Sequence, residues 1–453
     1  MLSKTIAWAA VVLTSLVTLS ASAAADPPAT KSLVLLISVD GLKPEAVLDA
    51  VHHGLKVPHL RAFLTDGAYA VGVTGVLPTL TYPSHMTLMT GVSPARHGIF
   101  ANTTFDPFSR NDHGWYWYAE DARVATLWSA AAAARLETAN VYWPTSVGAP
   151  ISYNLPQIWR SGTGDDLKLQ RALSTPGLER ELSANLGVYP GGMDETVADD
   201  ETRARFAVRL LETKHPDFMT VYLTGLDSEQ HKSGPFSAPA GDTLERLDTV
   251  VGELRAAAEH AAPGRATICV VSDHGFAAVE HDVNLYAAFL ESHLFERDGT
   301  QKIVSWQAVP WPAGGSAAIM LADPKDAKVR AQVAALLSKL AADPANGIER
   351  ILSREELLRE RGFPDAAFLV AFKIGYEFGF GFTAPWVSSP ANLGMHGYTP
   401  DHVEMRSSFF IVGPHIARGR SLGDIDMRQI APTLSRILGV VLPDAELGPL
   451  TLE

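Results

Sequence analysis

The sequence predicts an α/β fold in which helices flank a mainly parallel sheet as αβα layers, with a cap subdomain inserted late in the chain. Three observations predict it. Uninterrupted apolar runs begin at Leu33, Phe218 and Ala266, and their length and Val/Ile/Leu content suit strands buried on both faces of a parallel sheet. Amphipathic segments alternate with these runs, as in helix-covered sheets. Each run then breaks off near an acidic or imidazole side chain: Asp40, Asp227, or the pair Asp273 and His274. In open α/β sheets the ligand crevice lies outside the carboxyl ends of the strands, where these residues fall.

Taken in order, residues 5–25 carry no charge, follow Lys4 and end in Ala21-Ser-Ala-Ala-Ala25 before Asp26. This is the pattern of a secretory signal peptide over residues 1–25, implying a periplasmic or secreted protein with no stable membrane span once the leader is removed. The first strand, Leu33 to Val39, leads through Asp40 to a helix from Pro44 to Val51, since proline suits a first helical turn. An aromatic, turn-rich stretch from Asn102 to about Gln170 interrupts the alternation. Helices are expected over Asp200 to Lys214 and Thr243 to Ala262, on either side of the Phe218 strand. Residues 282–392 carry their own strand (Ser316 to Leu321), helix (Asp326 to Leu340) and strand (Ala367 to Lys373). This segment reads as a cap inserted into a main domain of residues 26–281 and 393–453, because the chain returns afterwards to supply His396. A strand at Ser408 and a helix from Met427 to Leu438 close the chain.

At 453 residues, with 47% hydrophobic and 19% charged positions, the chain can bury a large core. A net charge of −13 excludes a nucleic-acid-coating surface, which needs a basic stripe. A polyanionic substrate would need local cations to approach such a surface. The single cysteine, Cys269, sits inside an apolar run, so it reads as packing and permits no intrachain disulfide.

Asp40, Asp227, His231, Asp273, His274 and His396 are the candidate metal ligands, because carboxylate oxygen and imidazole nitrogen suit a borderline divalent ion such as zinc. Asp227 and His231 are four residues apart, a spacing that puts both on one face of a helix. An isolated Asp after a strand is ordinarily a turn residue or helix cap, so it is the joint occurrence at successive strand ends that carries weight.

A second constellation is Pro78-Thr-Leu-Thr-Tyr-Pro-Ser-His85. Pro83 suits a first helical turn, leaving Thr81 and Tyr82 just before a helix N-terminus, where amide N–H groups and the helix dipole favour an anion. By position Thr81 is either a helix N-cap or a nucleophile activated by a metal.

The ordered set Val39-Asp-Gly41, Thr81-Tyr-Pro-Ser-His85, His97-Gly-Ile99, Asp227-Ser-Glu-Gln-His231, Ser272-Asp-His-Gly-Phe276 and Met395-His-Gly-Tyr398 resembles the alkaline phosphatase superfamily. More closely, it resembles the nucleotide pyrophosphatase/phosphodiesterase branch, over roughly Leu33 to Leu442. The resemblance implies an alkaline-phosphatase-like core and two zinc ions per chain. Asp227, His231 and His396 would hold one ion; Asp40, Asp273, His274 and the Thr81 oxygen would hold the other. Thr81 would be the nucleophile of a phosphodiester or pyrophosphate hydrolase, passing through a phospho-threonine, and Asn102 would contact the phosphate. A small-molecule phosphodiester or nucleotide is the implied substrate, with Tyr82 and Trp159 as candidate stacking partners. Ser84 and Gln230 depart from the family's common Asn and Gly, which leaves the metal ligands in place but alters the shape beside them.

Competing readings are a phosphonate hydrolase or phosphomonoesterase of the same superfamily, and a non-catalytic, metal-stabilised envelope binding protein using Trp115-Tyr-Trp-Tyr118 as a platform. The monoesterase is disfavoured because no Lys or Arg lies between Thr81 and Arg96. The binding protein is disfavoured by the hydroxyl at Thr81 beside a full set of ligand types. Nothing in the sequence fixes an oligomeric state.

Overall fold

A computed structural model describes residues 32–111, 114–191 and 195–453. The expected leader lies outside the described residues. Strand β1 (Leu33–Val39) is buried along its whole length, as its unbroken apolar sequence requires. It lies at the centre of an eight-stranded sheet with β2 (Ala68–Tyr69), β3 (Thr138–Val141), β4 (Tyr153–Leu155), β5 (Phe218–Leu223) and β6 (Ala266–Val271). Between β6 and the return of the chain come β7 (Ala277–Val283), β8 (Ala308–Pro312), β9 (Ser316–Leu321), β10 (Ile348–Ser353), β11 (Phe368–Phe372) and β12 (Gly375–Phe378). The last two strands of the large sheet are β13 (Phe409–Val412) and β14 (Arg420–Ser421). The sheet order is β14-β2-β13-β6-β1-β5-β3-β4. Every pairing in it is parallel except the two made by β13. The α/β, mainly parallel architecture therefore stands.

Four helices matter to the site. Helix α1 (Thr81–Thr90) is buried throughout. Helix α2 (Val197–Lys214) starts at a reciprocal cap, in which Thr196 accepts from the Asp199 amide and Asp199 accepts from that of Thr196. Helix α3 (Gly225–Ser233) follows β5 directly, and α4 (Ala238–Ala261) is capped by the Ser237 hydroxyl. Among the described residues, no helix is long and apolar enough to cross a membrane.

Segment 282–392 contains the antiparallel sheet β8-β9-β11-β10 and its covering helix Ala327–Ala341. Its apolar residues form a second core, while Trp311, Leu352, Phe363 and Leu369 pack with Leu77, Leu80 and Phe100 of the main body. This contact brings the segment against the start of α1.

Two sequence expectations change. The helix after Pro44 spans only Glu45–Leu48. The stretch from Asn102 to Gln170 is not a uniform interruption, since β3 and β4 extend the large sheet. Both strands are too short for the apolar pattern of β1 to show in sequence.

Candidate metal centre and nucleophile

Five of the six predicted ligands follow the carboxyl ends of parallel strands of the large sheet. Asp40 follows β1, and Asp273 and His274 lie just beyond β6; all three are buried. Asp227 and His231 occupy one face of α3, as their spacing predicts, with side chains 14% and 23% exposed. Gly394 and Met395 pair with β7 and set His396 across from them.

Backbone carbonyls fix the imidazoles. The Nδ1 atoms of His231, His274 and His396 lie 2.9, 3.1 and 3.0 Å from the carbonyl oxygens of Gly394, Gly275 and Thr79. A ring that donates from Nδ1 to a carbonyl carries its free lone pair on Nε2, the arrangement usual for metal-binding histidines. All three Nε2 atoms face carboxylates. His231 Nε2 is 3.4 Å from Asp227, and His396 Nε2 is 3.7 Å from the other Asp227 oxygen. His274 Nε2 is 3.3 Å from Asp40, 3.2 Å from Asp273 and 3.4 Å from Thr81 Oγ1.

Among the described residues the ligand atoms form two tight groups, Asp227–His274–His396 and Asp40–Asp273–His274. His274 thus stands between the two sets rather than in one, and His231 joins the first through Asp227. Three buried carboxylate oxygens, Asp40 Oδ1, Asp227 Oδ1 and Asp273 Oδ2, have no hydrogen-bond partner, and the ion-pair partners of these residues among those described are histidines. Leaving such atoms buried and unpaired is costly.

Charge in the cleft follows from burial. Desolvation, then the Asp227 and Asp273 charges, raises the Asp40 carboxyl well above the usual range. Asp273 is pushed up to about 7, first by burial. Burial lowers His396 to about 4, and burial together with His396 lowers His274 well below its ordinary value. Crowded carboxylates, neutral imidazoles and orphaned oxygens are what divalent cations would complete, so the residues fit the metal that their donor set implies.

The loop after Asp40 is held by two further contacts. The Gly41 amide donates to Asp273 Oδ1 at 3.2 Å, and Gln230 Nε2 donates to the Gly41 carbonyl at 3.1 Å. Gly41 has φ +67°, and a Cβ there would meet Gln230 Nε2 at 2.8 Å, so glycine suits both the turn and the close approach. Gln230 therefore ties α3 to the Asp40 loop. At the start of α3, Asp200 Oδ2 accepts from the Gly225 amide at 2.7 Å, and Asp200 Oδ1 pairs with the buried Arg203. Neither Gln230 nor Asp200 stands out as a site residue in the sequence, because their partners are distant along the chain.

Thr81 is the first residue of α1 and not its cap; Leu80 holds the cap position without a side-chain bond. Its hydroxyl is free of capping duty and lies beside His274. Asn102 Oδ1 accepts from the Tyr82 amide at 3.0 Å, which leaves the Asn102 amide nitrogen as the group available to a ligand. A cleft of about 410 Å³ opens beside these residues, lined by Asn102, Trp115, His231, Glu377, Phe380 and His396 among others.

Tyr82 and Trp159, the expected stacking partners, are 1% and 4% exposed. The Tyr82 hydroxyl donates to Gln157 Oε1 at 2.7 Å, and Trp159 packs edge-on against Trp117 at 4.2 Å. Trp115, which packs against both, is the indole on the cleft wall.

The sequence model of a family described as type I phosphodiesterase/nucleotide pyrophosphatase matches residues 34–399. Human ectonucleotide pyrophosphatase/phosphodiesterase family member 7 is 24% identical over 452 residues, covering 97% of this chain and 87% of that protein. Human family member 1 is 26% identical over 252 residues, or 53% of this chain, and the match spans only 23% of that longer protein. Among solved structures, murine ectonucleotide pyrophosphatase/phosphodiesterase 5, an inactive threonine-to-alanine form in complex with AMP, superposes with a TM-score of 0.66 at 19% identity. That superposition covers 93% of this chain and 98% of that one, and shows a shared fold.

Proposed function

The chain belongs to the type I phosphodiesterase/nucleotide pyrophosphatase family, and from that premise we propose that it is an exported, two-zinc hydrolase of phosphodiester or pyrophosphate bonds with Thr81 as nucleophile. The observation that carries this reading is the Thr81 hydroxyl, uncommitted to capping, 3.4 Å from Nε2 of His274, the residue common to both ligand groups. Asp227, His231 and His396 would hold one ion, and Asp40, Asp273, His274 and Thr81 the other, with His274 close to both. Bound there, the metals would supply Lewis-acid stabilisation of charge and lower the pKa of the hydroxyl.

Thr81 Oγ1 loses its proton to solvent and attacks phosphorus, forming a P–O bond as the bond to the leaving-group oxygen breaks; that oxygen keeps the electron pair and takes a proton from water. Water then hydrolyses the resulting phospho-threonine and returns the hydroxyl. Thr81 stands in the first turn of α1, where the helix dipole favours the anionic phosphoryl group. Asn102, anchored through Oδ1, offers its amide N–H groups to a non-bridging oxygen as charge accumulates. Trp115 lines the cleft and supports a nucleotide-type leaving group, since an indole face can stack on a base. The AMP bound by the murine relative supports the same substrate class. The uncharged stretch of residues 5–25 after Lys4 supports export, in keeping with the ectonucleotide names of the relatives.

An activity panel on zinc-loaded protein tests this. A nitrophenyl phosphodiester and a dinucleotide are expected to be cleaved well ahead of a nitrophenyl monoester and a phosphonate. Preference for the monoester or phosphonate would overturn the diesterase assignment.

A further inference from the structure

We propose that Tyr222 is a positioning residue for the ligand Asp40, committing one carboxylate oxygen so that the other is presented to the metal. The proposal rests on the reading that Asp40 holds an ion. In the parallel pairing of β1 and β5, Tyr222 stands opposite Ser38, two residues before Asp40. Its hydroxyl donates to Asp40 Oδ2. The remaining oxygen, Oδ1, has no hydrogen-bond partner and lies 3.3 Å from His274 Nε2. One oxygen is therefore occupied and the other faces the His274 imidazole.

The phenol is itself held. Tyr222 is 2% exposed; the Tyr142 ring lies nearly parallel at 6.3 Å, and the His85 ring meets it near edge-on at 4.5 Å. His85 is fixed in turn, with Nε2 2.9 Å from Ser38 Oγ and Nδ1 2.8 Å from the Thr81 carbonyl. The same Nδ1 lies 3.5 Å from Asp273 Oδ2. A carboxylate with both oxygens free can rock between one- and two-oxygen coordination. Asp40 cannot do so without giving up the phenol. Groups that orient metal ligands in this way typically change metal affinity about 10–100-fold when removed.

The test is Tyr222→Phe, which deletes one oxygen and keeps the ring. Zinc-loaded parent and variant are titrated with a competing chelator, and metal-free samples of both are melted. The expected result is one ion whose dissociation constant rises roughly 10–100-fold, a second that holds at the parent value, and nearly equal melting of the metal-free proteins. Both ions held at parent affinity would overturn the proposal, as would equal weakening of both with a lower metal-free melting temperature, the mark of a packing role. A parent that binds no divalent ion would overturn the metal reading and this proposal with it. Should the variant fail to fold, 3-fluorotyrosine at position 222 keeps the hydroxyl. Its fluorine resonance is expected to shift as zinc is added, and no shift through both equivalents would overturn the assignment.

Discussion

The rings of His274 and His396 stack 3.6 Å apart and 8° from parallel, although they stand far apart in the sequence. Two protonated imidazoles could not share that geometry, and burial holds both below their ordinary pKa. Neutral, and with Nδ1 given to backbone carbonyls, each aims a lone pair from Nε2 towards carboxylate oxygens that have no hydrogen-bond partner.

Two divalent ions per chain are therefore expected in protein purified without chelator, with zinc predominant. Chelation is expected to abolish hydrolysis and lower the melting temperature, because an ion bound only by the folded state stabilises it. Elemental analysis alongside a thermal melt checks this. Full activity at negligible metal content would refute it.

Asn102→Ala is expected to lower kcat/KM for a phosphodiester roughly 10²–10³-fold, the usual effect of removing one donor to a charge-accumulating oxygen. Metal content is expected to stay at the parent level, since Asn102 contacts the Tyr82 amide and no ligand side chain in the structure. Parallel kinetics and metal analysis separate the two effects.

Asp200→Ala removes both the acceptor for the Gly225 amide and one of the groups that pair with the fully buried Arg203. Breaking a buried pair from one side costs about 3–5 kcal/mol. The loss is expected in denaturant unfolding, together with weaker metal binding because α3 carries Asp227 and His231.

Acid is expected to destabilise the fold through His97. Burial lowers this ring to about 3, while the Pro83 carbonyl and Glu446 oppose the shift. Nδ1 accepts from the Ile99 amide at 3.1 Å, so the folded ring is neutral. The unfolded chain takes up the proton near pH 6.5, so stability is fully present above that value and falls as the pH drops towards 3. One such proton contributes a slope of up to about 1.4 kcal/mol per pH unit. His97→Asn is expected to flatten the slope between pH 6 and 4, as unfolding across that range at about half-unit steps would show.

The main strands and the gathering of the six candidate ligands were legible because a buried parallel strand leaves an unbroken apolar run and most of these side chains stand just beyond where a run stops. The Asp227–His231 pair was legible because four residues make about one helical turn. Trp115 was harder to single out: in an aromatic run such as Trp115-Tyr-Trp-Tyr118, which ring faces a cleft and which faces the core depends on tertiary packing. Thr81 was ambiguous for a related reason. Whether a threonine near a proline caps a helix or begins it turns on one backbone angle, and here Leu80 takes the extended cap conformation. The supporting contacts of Tyr222, Gln230 and Asp200 join segments far apart in the chain and leave no local pattern.

The central claim is the covalent role of Thr81, and kinetics of Thr81→Ala test it most directly. Because Leu80 and not Thr81 occupies the cap position, the substitution is expected to leave stability nearly unchanged. Turnover of a phosphodiester is predicted to fall roughly 10³-fold or more, as when a covalent nucleophile is deleted. Acid quenching of the parent during turnover is predicted to trap a phosphorylated peptide containing Thr81. A Thr81→Ala protein that turned over the diester at close to the parent rate would contradict the account.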